Sequence, residues 1–152
     1  MKKLKFVLLF FMFSCTLNTF AQEQPGKNHQ VFINAKGGIY NHGGTPLGYI
    51  DKDNIVRNNK GEKLYFIDNS GNVVDASGKK LGKAKKNGDY FNINGVSVLN
   101  TKDLDAEKCA ILDPQGHNLG TIHKNYKLHA CAAHCFFLEQ AKKKAGAKKL
   151  RS

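Results

Sequence analysis

Five glycines stand on one ladder. Gly44, Gly61, Gly78 and Gly95 are 17 residues apart, and Gly116 follows after 21. The flanking columns repeat with them. Five residues before each glycine stand Ile39, Val56, Val73, Tyr90 and Ile111, and three before it Asn41, Asn58, Asp75, Asn92 and Asp113. Three after it come Leu47, Leu64, Leu81, Val98 and Leu119; six after it come Ile50, Ile67, Ala84, Thr101 and Ile122. Self-similarity at a fixed period marks a repeat architecture.

One unit reads as a β-hairpin. Asn or Asp supplies a side chain that caps a turn, and the glycine is free to take positive φ. Apolar residues on either side suit two short strands with one buried face. A lone hairpin of this size is marginal in water, but five can share a core. Closing them into a ring leaves few exposed strand edges, whereas an irregular open sheet leaves two. The expected fold is therefore mostly β, a ring of five hairpins with the Leu column pointing at the axis. The four extra residues of the last interval fall around Thr101 to Lys108.

The first 21 residues are expected to be an export leader. Lys2, Lys3 and Lys5 precede an apolar run from Phe6 to Phe13, and Thr19-Phe20-Ala21 is a small-x-small cleavage site. The run is shorter than the roughly 20 residues that span a bilayer. Cys15 offers lipidation as an alternative, but Met12-Phe13-Ser14 matches poorly what precedes a lipidated cysteine. The chain is thus read as exported, to the periplasm or the medium. The organisation expected is a leader over 1–21, an N-terminal strand and linker over 22–38, hairpins over 39–127, a helix over 128–146 and a basic tail over 147–152.

Charge concentrates at one end. The formal net charge is +12, and three lysines of the leader account for part of it. Lys142, Lys143, Lys144, Lys148, Lys149 and Arg151 stand against the single acid Glu139 in the last 14 residues. Basicity confined to a tail does not make a nucleic-acid binder. Tyr65, Phe66, Tyr90 and Phe91 lie in strand-like runs, where aromatics are more often core than stacking platforms. The tail suits an anionic membrane surface or a merely solvated terminus.

The segment Leu128 to Leu138, LHACAAHCFFL, is apolar all round and rich in alanine. It is expected to form a buried helix that covers one mouth of the ring and is interrupted at Gly146. It also holds His129, Cys131, His134 and Cys135, with Cys109 and His123 upstream. Two readings compete. Cys109 can pair with Cys131 or Cys135 in a disulfide, as exported proteins do, or the cysteines can stay as buried thiols; alternatively the set can ligate a metal. No Cys-x-x-Cys is present.

The repeat units from Ile39 to Lys127, with the leader before them and the apolar segment after them, resemble the five-fold β-flower family, small exported proteins of Gram-negative bacteria. Leu47-Gly48, Leu81-Gly82 and Leu119-Gly120 fit its pattern; Leu64-Tyr65 and Val98-Leu99 depart from it. The resemblance implies a ring of hairpins and brings no established activity.

Other motifs fail on inspection. Asp51, Asp53 and Glu62 imitate the ends of a calcium loop, but Val56 stands where that loop needs glycine. The two aspartates read instead as turn residues between hairpins. Gly43-Gly44-Thr45 lacks the lysine of a phosphate loop, and no Gly-x-Ser-x-Gly occurs. Nothing assembles a nucleophile, base and oxyanion donors. The expected function is a non-catalytic binding module of the cell envelope, without cofactor, whose partner is an envelope protein or glycan and not nucleic acid. The alternative is a metal- or redox-active protein using the Cys/His set at 109–135.

Overall fold

The computed structural model describes residues 30–149. The expected leader, with Cys15, and Arg151 lie outside them. Eleven strands close into one barrel. They are β1 (Val31–Ile33), β2 (Gly38–Asn41), β3 (Pro46–Ile50), β4 (Ile55–Asn58), β5 (Lys63–Ile67), β6 (Asn72–Asp75), β7 (Lys80–Ala84), β8 (Tyr90–Asn92), β9 (Ser97–Asp103), β10 (Lys108–Leu112) and β11 (Asn118–His123). β2 to β11 form five hairpins in chain order. β1 seals the ring, antiparallel to β2 and parallel to β11.

Each hairpin tip is the same object. The backbone N–H of Gly78 donates to the Asp75 carbonyl, and the Asp75 carboxylate accepts from the N–H groups of Ser77 and Lys79. Asn58, Asn92 and Asp113 repeat both side-chain bonds, and Asn41 makes the second of them. All five ladder glycines have positive φ, from 76 to 88 degrees. This is a three-residue hairpin loop ending in a left-handed residue.

The opposite rim carries a second ladder that the first one hides. Asn34, Asp51, Asp68 and Lys85 accept from the N–H three residues on, at Gly37, Asn54, Gly71 and Gly88, each with positive φ. Asn34, Asp51 and Asp68 also cap these turns with their side chains. Asp51 is thus a turn residue between hairpins, as its spacing suggested. The 17-residue unit is one turn used twice. The longer fourth unit absorbs its extra residues where β9 runs on to Asp103, and Asp105 caps the return.

A register shift recurs at one place in every hairpin: Ile39/Tyr40, Val56/Arg57, Val73/Val74, Tyr90/Phe91 and Ile111/Leu112. Such bulges bend a strand and increase its twist, and five in register bend the sheet round on itself.

The expected orientation of the Leu column is wrong. Leu47, Leu64, Leu81, Val98 and Leu119 are only half-buried and flank the core. The inner wall is made by the column Ile39, Val56, Val73, Tyr90 and Ile111 and, paired across from it, Gly48, Tyr65, Gly82, Leu99 and Gly120. Successive residues of a strand face opposite ways, so an inward glycine turns its leucine neighbour out. The glycines are forced: a Cβ on Gly48, Gly82 or Gly120 would strike the backbone of Arg57, Phe91 or Val31. Tyr65 and Leu99 hold the same inward register and fill the core.

The segment after β11 also departs from expectation. A 3-10 segment, Lys124–Cys131, precedes helix α1, Ala132–Lys149, which continues past Gly146 into the tail. It threads the ring and does not cap a mouth. Tyr126 lies against Gly37 on one rim, while Cys135 and Leu138 line a crevice with the β6–β7 tip on the other. Between them His129, Ala130, Cys131 and Ala132 are buried. Alanine suits an axis already crowded by Tyr65, Tyr90 and Leu99.

Two glycine substitutions should separate turn from seam. Gly116→Ala meets open space and pays only for positive φ, about 1–2 kcal/mol. Gly120→Ala drives a methyl into the Val31 backbone and opens the β1–β11 seam. It should cost roughly 3 kcal/mol or more in urea unfolding. Equal losses would show that this close approach does not hold the seam.

Candidate functional site: the threaded core and the rim

The threaded segment brings Cys131, His134 and Cys135 in against the core tyrosines Tyr65 and Tyr90. Cys131 Sγ lies 3.7 Å from the Tyr65 hydroxyl. The His134 ring tilts against Tyr90, with centroids 5.7 Å apart. Burial pushes both tyrosine hydroxyls well above their ordinary pKa, so they stay protonated. Burial also lowers the pKa of His134.

Cys109 sits elsewhere, on β10 beside the start of the threaded segment. Its thiol donates to the Asp103 carboxylate at 3.2 Å. Burial first, and then Asp103, raise its pKa, which opposes the thiolate needed for redox or nucleophilic chemistry. Asp103 is held well below the carboxylate range by Lys127, Cys109 and Lys124; the two amines lie 2.9 and 3.2 Å away. No disulfide joins Cys109, Cys131 or Cys135. Among the described residues no group of three or more His, Cys, Asp or Glu side chains is gathered to hold a metal. His123 serves a local purpose, accepting from the Asn125 N–H at the start of the 3-10 segment. The Cys/His set at 109–135 is close in sequence, but the ring wall and the axis divide it.

His129 is 1% exposed, and among the described residues neither ring nitrogen has a hydrogen-bond partner; the same holds for the Tyr90 hydroxyl. Burial lowers the His129 pKa from 6.5 to about 4.

The outward side of the Leu column forms a surface that the sequence pattern did not suggest. Two crevices flank the β4–β5 hairpin where α1 emerges. One, of about 240 Å³, is walled by Leu64, Leu81 and Leu138, with Tyr65 and Cys135 at its floor. The other, of about 370 Å³, lies between Leu47, Leu64, Phe136 and Lys143. The same rim exposes Ile93 and Val96 on the β8–β9 tip, 62% and 59%, and Phe137 and Leu138 on α1. Further along the helix, Lys143 and Lys149 are exposed. Among the described residues no helix is long and apolar enough to cross a membrane.

Acidification should expose the cost of the buried histidine. The unfolded chain binds a proton at His129 below about 6.5, whereas the folded one resists until about 4. Stability is therefore full above pH 6.5 and falls as the pH drops towards 4, by roughly 3 kcal/mol. His129→Leu should flatten most of that slope in urea titrations, leaving the part due to His134 and, nearest pH 4, to Asp51, Asp68, Asp103, Asp105 and Asp113, whose pKa values the fold lowers. An unchanged slope would place the effect elsewhere.

Comparison of the chain with protein-family models, with curated proteins and with solved structures found no match.

Proposed function

We propose that this chain is an exported, non-catalytic binding module of the cell envelope, related to the β-flower proteins it resembles. The observation that carries the reading is the rim where α1 emerges. There, leucine-walled crevices and exposed Ile93, Val96, Phe137 and Leu138 stand on a scaffold whose turns bond internally. Because backbone N–H groups and Asx side chains hold each tip, its other positions are free to vary. They read His42-Gly43, Asn59-Lys60, Ala76-Ser77, Ile93-Asn94 and Pro114-Gln115. A fixed frame displaying varied tips is a common design for recognition. Apolar side chains exposed together on one rim favour a partner over bulk water. The partner proposed is an envelope protein or glycan.

The double variant Val96→Asp/Leu138→Asp tests this. It should keep the thermal transition and lose at least about tenfold in affinity for the envelope component that the mature protein retains. Undiminished retention would refute the rim as the binding face.

The emerging helix supports a second contact. The helix contains Lys142, Lys143, Lys144, Lys148 and Lys149 in its last turns, and each lysine near an anionic bilayer contributes about 1 kcal/mol. Replacing these five with glutamine should abolish co-sedimentation with phosphatidylglycerol vesicles at low salt. Unchanged sedimentation would discard the membrane contact.

A further inference from the structure

The sequence Lys79-Lys80-Leu81-Gly82-Lys83-Ala84-Lys85-Lys86 places five lysines within eight residues, away from the basic tail. Strand alternation decides where they go. Gly82 and Ala84 face the core, so Lys83 and Lys85 face out, about 7 Å apart along the strand. Lys80, Lys83 and Lys85 are all exposed.

These lysines line a groove of about 260 Å³ between β7 and β8, together with Phe91, Asn92 and Ile93. Lys83 pairs across the strands with Phe91, and the Lys85 amine lies 4.4 Å from the centre of the Phe91 ring. The groove contains bare backbone at Gly82, where the Phe91 carbonyl comes too near for any side chain. Among the described residues no acidic side chain lines it. Among the described residues, the ion pairs use Arg57, His117, Lys124 and Lys127, and none takes a groove lysine. Lys80 lies within electrostatic reach of Asp68, whose carboxylate is already held by Asn72 and its own turn.

We infer that this groove binds an acidic polysaccharide, one carboxylated sugar at a time along β7. Three properties select that ligand. The cations are strung along a strand and do not converge on a point, which suits charges spaced along a polymer. The floor offers Ile93, 62% exposed, beside one aromatic ring whose face the Lys85 amine covers, so its apolar seat is no wider than a single sugar. Single-stranded nucleic acid uses successive aromatic platforms, and here there is one, with the Lys85 amine over it. The site lies on the wall of the barrel and shares Ile93 with the rim proposed above, but its lysines do not belong to that rim.

The test is titration of the full-length mature protein with a short oligogalacturonate, measured by calorimetry at low and high salt. Neutral dextran, a single-stranded oligonucleotide and phosphatidylglycerol vesicles serve as competing probes. The mature protein should bind the galacturonate, ignore dextran, and weaken as salt rises. Lys80→Gln/Lys83→Gln/Lys85→Gln should lose about tenfold or more in affinity with an unchanged thermal transition. The five-lysine helix variant should retain the affinity. Binding that survives the groove substitutions, or that follows the helix lysines, would overturn the proposal. So would tighter groove-dependent binding of the oligonucleotide or the vesicles.

Discussion

Close backbone approach at the inward glycines is the constraint on which this barrel depends. Gly48, Gly82 and Gly120 sit where the carbonyl of the neighbouring hairpin, or of β1, occupies the space of a Cβ. Hairpins that approach so closely, each bent by a bulge at the same place, turn into one another and close. β1 then covers the last edge by pairing on both sides. Closure removes the exposed edges that would otherwise recruit another chain.

That geometry explains the unusual interior. Small inward residues leave an axial channel, and the chain fills it with its own C-terminal segment. Ala130, Ala132 and Ala133 fit the narrow parts, while Tyr65, Tyr90 and Leu99 take up the remainder. The arrangement has a polar cost at His129, whose unpartnered ring stays neutral. It also moves the leucines outward, where they wall the crevices at the rim. Core packing and surface chemistry are therefore two consequences of one choice of facing.

Much of the frame was legible in residue order. The ladder through Gly78 located all five hairpin tips, and the Asx column named the side chains that cap them. A second ladder was equally available in Gly37, Gly71 and Gly88, with Asn34 and Asp68 three residues before two of them. It was obscured because Asn54 replaces one glycine and Lys85 one Asx residue. The groove lysines stand in the sequence as a run from Lys79 to Lys86. The shared direction of Lys83 and Lys85 follows only once Gly82 and Ala84 are known to face inward.

What the sequence determined by itself was local: turn chemistry, the period, the strand count per unit and the apolar character of the segment after β11. Those depend on residues within a few positions of one another. The tertiary structure alone decided which of two adjacent columns faces the axis, that the final segment threads the ring, and that Cys109 is parted from Cys131 and Cys135. Each of these turns on how near one hairpin's backbone comes to the next, a distance set between residues far apart in the chain.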